Sequence, residues 1–446
     1  MYDSLADMPA TADSAPSAND LAGAGADRIQ EVNITPVAFS DLPLLNTVGV
    51  HEPFALRSVI EIVTDSGVHG LGESYGDLPH LQRLEKAAAL LVGLDVFDLH
   101  GMGRRVHDAL RSDTSKGGHG MGGMVMTSST ADRVLSPFEV AALDVQGKTL
   151  GRPVTDLLGG AVRSTVAYSG YLFYKWAGHP GQDDDPWGAA LDPVGLVEQA
   201  RRLVTGYGFT ALKLKGGVFP PEEEVEAIRA LREAFPDHPL RLDPNTAWTV
   251  NTSIEVGTSL AGVLEYLEDP TPGIEGMAAV ARGVPMPLAT NMAVVAFDQV
   301  AEAVRQQAVQ VVLSDHHFWG GLRRSQSLAA ICDTFRLGLS MHSNSHLGIS
   351  LAAMTHLAAA TPNLDYACDT HWPWKDPSDD VVVPGALDFV DGAVAVPTTP
   401  GLGVELDRDA LARLHEQYLA CEIRSRDDTG YMRTFQADFD PSSPRW

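Results

Sequence analysis

Six short apolar runs between residues 211 and 342 each end in a side chain able to do chemistry: Ala-Leu-Lys213-Leu-Lys215, Leu-Arg-Leu-Asp243, Leu-Glu-Tyr-Leu-Glu268, Pro-Leu-Ala-Thr-Asn291, Val-Val-Leu-Ser-Asp315 and Leu-Gly-Leu-Ser-Met-His342. Successive rungs lie 23 to 28 residues apart. That interval holds one strand, one loop and one helix, so every rung falls at the same end of a parallel sheet. In a closed barrel, that end is where active sites are built.

Extending the pattern gives eight strands: 166–172, 211–215, 239–243, 264–268, 286–290, 310–315, 337–342 and 364–369. Helices fill the gaps. One opens at Pro220-Pro221-Glu222-Glu223-Glu224, with proline at the entry and acids on the positive end of its dipole, and Pro236 marks its exit. Strands and helices alternating in this number imply a β/α barrel over residues 161–385. Before it, Val32 to Phe39, Arg57 to Thr64 and Val68 to Glu73 read as an antiparallel meander turning at Asp65-Ser66-Gly67. Helical periods follow at 81–91, 99–110 and 137–150, the last opened by Ser136 as cap, Pro137 at the first helical position and Glu139 in the box. These make an α+β domain over residues 29–160. Residues 386–446, with a strand at 389–396 and a helix at 407–418, are expected to return to that domain.

The formal charge is −26, so polyanions such as nucleic acid or an anionic membrane are repelled. Three cysteines are too few for a disulfide framework and suit free thiols in a reducing cytoplasm. Residues 1–28 are rich in Ala, Asp, Ser, Gly and Pro, with neither a basic start nor an apolar core, and read as a disordered leader. No apolar run reaches the roughly 18 residues of a membrane span. The Gly/Met-rich segment 116–130 reads either as a lid or as a plain surface loop.

Lys213 and Lys215, two apart on a strand, point to one face. Two readings stand: a solvated, inert pair, or two ammonium groups whose repulsion lowers a pKa and leaves an amine able to take a proton. Asp243, Glu268 and Asn291 end three consecutive strands and present hard oxygens that suit magnesium better than zinc. Any one of them alone could be a helix cap. Asp315 and His342 end the next two strands, and a carboxylate beside an imidazole makes a general acid. Together these parts describe removal of a proton next to a carboxylate, with the resulting enediolate stabilised by a cation.

The residues Phe-Thr-Ala-Leu-Lys-Leu-Lys-Gly-Gly-Val218, Leu242-Asp-Pro-Asn-Thr-Ala-Trp248, Glu268-Asp-Pro270, Ala289-Thr-Asn-Met292, Asp315-His-His-Phe-Trp319, His342-Ser-Asn-Ser-His346 and Asp369-Thr-His-Trp372 resemble the enolase superfamily. Within it they resemble the glucarate dehydratase group, which Asn as third metal ligand marks. The resemblance runs from about Asn46 to Arg426. It implies an α/β fold, a modified (β/α)8-type barrel of (β/α)7β form with an α+β capping domain. It implies Lys215 as base, Lys213 as its tuner and a contact to a substrate carboxylate, and Asp243, Glu268 and Asn291 around Mg2+ with Asn245 beside them. Asp315 and His342 would protonate the departing hydroxyl, or act as base for the opposite epimer. His51, Tyr171, His371 and Arg426 would meet the rest of a small diacid sugar. The implied reaction is dehydration of D-glucarate, or of L-idarate, to 5-keto-4-deoxy-glucarate in a homo-oligomeric hydro-lyase. Other readings are a dehydratase or epimerase for another acid sugar, and a silent paralogue. The chain departs from the group's pattern at His316 (for Pro), Thr246 (for Gly) and Ser345 (for Asn), and residues 121–127 lack a clear polar counterpart to the group's substrate contact.

Overall fold

The computed structural model describes residues 26–113 and 128–446. Residues 1–25 of the expected leader and residues 116–127 of the Gly/Met-rich segment fall outside them, whereas leader residues 26–28 are described and Arg28 forms a β-bridge with Asp95. Strands β1 (Ile29–Ser40), β4 (Phe54–Thr64) and β5 (His69–Tyr75) form the antiparallel meander, in the order β1-β4-β5. Gly67, at φ +79, makes the turn between β4 and β5, and the Asp27 carboxylate pins it by accepting from the Ser66 amide and hydroxyl. The chain between β1 and β4 folds into a small hairpin, β2 (Leu45–Asn46) and β3 (Gly49–Val50). One face of the meander carries Leu56, Ile60 and Ile62, which pack against Leu84 and Leu91 of the helix 78–91 and Phe138 and Val145 of the helix 130–150. Each such burial contributes about 1.5–3 kcal/mol.

The third helix corrects the expected start at Ser136. It begins at Thr130, capped by the Ser129 hydroxyl accepting from the Asp132 amide at 3.3 Å, and Pro137 lies inside it. Every residue from Asp132 to Gly147 is buried, so packing on both sides outweighs the hydrogen bond that Pro137 cannot make. Glu139 caps a different helix. Its carboxylate accepts from the amides of Leu322 and Arg323, at 2.8 and 3.0 Å, at the start of the barrel helix Leu322–Phe335.

Eight parallel strands form the barrel: β6 (Thr165–Phe173), β7 (Leu212–Lys215), β8 (Leu240–Asp243), β9 (Tyr266–Glu268), β10 (Leu288–Thr290), β11 (Val311–Ser314), β12 (Gly338–Met341) and β13 (Cys368–Thr370). Each pairs with the next from β6 to β12, and β13 pairs back onto β6. Tyr366 and Asp365, whose amides reach Leu339 O, bring β13 beside β12 and close the ring. Seven helical connections join the eight strands, the (β/α)7β arrangement. Alternation decides which side chains enter the barrel. Leu212, Leu214, Leu240 and Leu242 face the helices, while Lys213, Lys215, Arg241 and Asp243 share the inner face.

The expectation for residues 386–446 needs a correction. The hairpin β14 (Phe389–Val390) and β15 (Ala393–Ala395) stays with the barrel, β15 pairing antiparallel with the first residues of β6. Phe389 holds it there, its ring against Tyr168 at 5.4 Å and Phe209 at 5.5 Å. The helix Arg408–Ala420 does cross to the meander, where His415 and Gln417 hydrogen-bond the carbonyls of Pro36 and Ala38. Among the described residues no helix is long and apolar enough to cross a membrane.

Candidate active site

A cleft of about 730 Å3, open mouth included, lies at the carboxyl end of the barrel strands, beneath the β2–β3 hairpin. Lys215, Asn245, Asn291, His342, His51, Tyr171, His371 and Arg426 all line it. Three further expected residues, Lys213, Asp243 and Glu268, sit fully buried and bonded to one another around Lys215. The last, Asp315, is tied to His342.

The two lysines do not face each other directly, contrary to the second reading of their spacing. A carboxylate lies between them: Asp243 Oδ2 is 2.7 Å from Lys215 Nζ and 3.7 Å from Lys213 Nζ. Lys213 also meets Glu268 Oε2 at 2.6 Å and Asp369 Oδ2 at 2.7 Å, with the Tyr171 ring 4.7 Å away. Burial works against its charge, but Asp369 and Glu268 outweigh it and hold the Lys213 pKa well above the usual lysine value. The Lys213 ammonium is fully buried among these carboxylates. Lys215 faces the cleft, its Nζ also donating to Asn245 Oδ1 at 2.8 Å. Asp369 went unrecognised as part of this group, although it closes the eighth rung and its sequence position carried the signal.

Asp243 and Glu268 end β8 and β9, and Asn291 directly follows β10, on neighbouring staves. Glu268 Oε1 and Asn291 Oδ1 are buried without a hydrogen-bond partner, which costs each about 1–3 kcal/mol unless something else fills the role. Burial and then Asp243, Asp369 and Asp269 push the Glu268 pKa well up, against the pull of Lys213. Arg241 joins the two ammonium groups, its Nη1 3.7 Å from Asp369 Oδ1. The orphaned hard oxygens of Glu268 and Asn291 beside the Asp243 carboxylate fit a divalent oxygen-loving cation such as magnesium. Asp269 shapes this edge, accepting from the Thr290 hydroxyl at 2.6 Å and from the amides of Asn291 at 2.7 Å and Met292 at 3.0 Å. Asn245 and Thr246 stand at φ +53 and +65. That conformation explains why glycine suits position 246, where a β-branched residue costs about 1–2 kcal/mol. The Thr246 hydroxyl answers with a 2.6 Å bond to Ser443.

At the other side of the cleft, His342 Nδ1 is 3.0 Å from Asp315 Oδ2. Burial would raise the Asp315 pKa, but His317 and His342 hold it well below the usual range. Asp315, His316 and His317 place ligand-capable atoms within 4.8 Å of one another. A cation is disfavoured there, because the Arg57 guanidinium lies 3.0 Å from His317 Nε2.

The other domain supplies the cover. His51 Nδ1 and Arg426 Nη1 both reach Asp41 Oδ2 at 3.1 Å, and Arg426 Nε donates to Asp428 Oδ1 at 2.8 Å. Burial opposes its charge, yet Asp428 and Asp41 raise the Arg426 pKa. Tyr171 lines the cleft with its ring, while its hydroxyl donates to Asp243 Oδ2 at 3.3 Å. His371 packs edge-on to Tyr171 at 4.9 Å, and burial lowers its pKa well below the ordinary imidazole value. Asn46, Phe173, Tyr75 and Asn344 also line the cleft and were missed. Asn46, Tyr75 and Asn344 lie off the barrel staves, and no period in the sequence points to them.

A family model described as enolase C-terminal domain-like matches residues 195–410. The chain is 54% identical over 430 residues to a probable glucarate dehydratase of Streptomyces coelicolor, covering 94% of this chain and 99% of that one. A crystal structure of an enolase from Mycobacterium smegmatis complexed with tartrate matches with a TM-score of 0.91 at 65% identity, covering 95% of this chain and 100% of that one. An enolase from Gibberella zeae complexed with magnesium, formate and sulfate matches with a TM-score of 0.92 at 64% identity, covering 94% and 97%.

Proposed function

The chain belongs to the enolase superfamily, and we propose on that footing that it is a magnesium-dependent hydro-lyase acting on a six-carbon diacid sugar. The substrate is D-glucarate, with L-idarate as its epimer, and the product is 5-keto-4-deoxy-glucarate. One observation carries the reading: Lys215 and the Asp315-backed His342 line a single cleft from different staves, above three oxygen ligands on consecutive strands. The similarity to the S. coelicolor protein, and tartrate in the M. smegmatis one, agree with a hydroxylated diacid.

Asp243, Glu268 and Asn291 would hold the metal ion, which when bound supplies a Lewis acid for the carboxylate next to the reacting carbon. Acting as base, Lys215 Nζ takes the proton from that carbon, and the C–H electron pair moves into the enediolate. Lys213 and Asn245 fix Lys215 in place, Lys213 through the shared Asp243 and Asn245 by a direct bond. The electron pair then expels the β-hydroxyl, which takes a proton from His342 Nε2 and leaves as water, and the enol becomes the keto acid. For the opposite epimer the Asp315–His342 pair acts as the base. His51, His371 and Arg426 offer donors to the second carboxylate.

The test is direct: protein, magnesium and D-glucarate are mixed and a 2-keto acid is assayed. Absence of keto acid from every hexarate defeats the reading. Because two proton-transfer groups flank one cleft, epimerisation is the second reading. It is recognised by deuterium entering recovered substrate with no keto acid formed.

A further inference from the structure

We propose that His317, held by Arg57 from the capping domain, is the positioning residue that fixes the tautomer of His342. The inference rests on the proposed role of His342 as acid and base, and it follows from which atoms can donate. Arg57 Nη2 lies 3.0 Å from His317 Nε2. A guanidinium only donates, so His317 Nε2 must accept, and the ring proton of His317 is on Nδ1. That nitrogen is 2.8 Å from Asp315 Oδ1, which also accepts from the His317 amide at 2.9 Å. With two donors on Oδ1, Asp315 turns Oδ2 to His342 Nδ1 at 3.0 Å. His342 then keeps its Nδ1 proton toward Asp315 in both protonation states, and Nε2 is the nitrogen that takes or gives the proton at the substrate.

The chain of contacts is anchored at its far end. Arg57 Nε donates to Glu73 Oε1 at 2.8 Å, and Glu73 also accepts from the amides of Leu347 at 2.9 Å and Ser350 at 2.8 Å. Ser350 Oγ sits 3.1 Å from His317 Nε2 and 3.4 Å from Arg57 Nη2. The His316 ring lies against that of His317, centroids 4.0 Å apart, and restricts its rotation. Glu73, Arg57, His317 and Asp315 are all buried, where charge-assisted bonds are strongest and a broken one is most costly. Arg57 and Glu73 belong to β4 and β5 of the capping domain, whereas Asp315 and His342 directly follow the barrel strands β11 and β12. The geometry of the acid on one face of the substrate thus depends on the docking of the other domain.

Two measurements on the full-length magnesium-loaded protein test this, with His317→Leu removing both ring nitrogens and His317→Asn restoring a donor near Asp315. The first needs no substrate: the ring-nitrogen chemical shifts of His342 report its tautomer. A single Nδ1–H form is expected in the wild type and in His317→Asn, and a mixture in His317→Leu. The second is proton exchange in deuterium oxide with each epimer of the acid sugar. Exchange at the His342 face should fall about 10- to 100-fold in His317→Leu while exchange at the Lys215 face stays within about 3-fold, and His317→Asn should recover most of the loss. A parallel fall at both faces, an unchanged His342-face rate, an unchanged tautomer in His317→Leu, or no rescue by asparagine would overturn the inference. A wild type that exchanges neither epimer refutes the proposed function instead, and the nitrogen shifts still decide the role of His317.

Discussion

Replacing Lys213 by methionine keeps the length of the side chain and removes one charge from the cage. Lys213 Nζ is 2.6 Å from Glu268 and 2.7 Å from Asp369, with all three side chains fully buried. At an effective dielectric constant near 20, each contact is worth about 6 kcal/mol of bare Coulomb attraction, offset largely by the cost of burying the charges. Removing one partner leaves the carboxylates stranded, so Lys213→Met should lose about 3–5 kcal/mol of stability at neutral pH without metal. Relief comes only by protonating a carboxylate or by supplying another cation. The deficit should shrink as pH falls, because Glu268 is already pushed up by burial and by Asp243 and Asp369. Magnesium should also stabilise the variant more than the wild type, since no ammonium competes for Glu268. A second change, Asp369→Asn, should recover part of the loss, as removing both partners of a buried pair is far cheaper than removing one. Urea unfolding at two pH values, with chelator and with magnesium, measures all four quantities. A chelated variant within about 1 kcal/mol of wild type at pH 7, or a deficit indifferent to both pH and magnesium, would refute the cage as the role of Lys213.

Lys215→Ala should lower proton exchange at its own face by about 100- to 10,000-fold while calorimetric magnesium affinity stays within a few-fold of wild type. Asn291→Ala should do the reverse for binding, weakening magnesium by about 10- to 100-fold in the same titration. Burial pushes the Glu139 pKa from 4.5 up to about 7. Its folded form keeps a proton that the unfolded chain loses near 4.5, so its contribution to stability falls as pH rises through that window, by about 3 kcal/mol. Urea midpoints should accordingly show Glu139→Gln gaining on wild type between pH 5 and 8. Gly217 has φ +72, and a Cβ there would lie 2.2 Å from Pro244 O and 2.6 Å from Thr47 Oγ1. Gly217→Ala should cost about 2–4 kcal/mol by the same measurement, through strain and displacement of the loop after Lys215.

The ladder was legible because two periods agree. A strand alternates every two residues, and a strand–helix step repeats at about 25. That was enough to send Lys213, Lys215, Asp243, Glu268, Asn291, Asp315 and His342 to one end of a barrel with the correct parity. Local signals failed where packing overrides them. Ser136, Pro137 and Glu139 spell a helix start, yet they lie within a buried helix, and Glu139 caps a segment 183 residues away.

The chemical inventory and its placement on consecutive staves were therefore determined by the order of residues alone. Only the tertiary structure decided which charges face each other: that Asp369 closes on Lys213, that Asp41 joins His51 to Arg426, and that Arg57 reaches across to His317. The physical reason is separation along the chain. Lys213 and Asp369 are 156 residues apart and Arg57 and His317 are 260 apart. No local propensity encodes such pairs, and each exists because two domains and a closed barrel bury them in the same small volume.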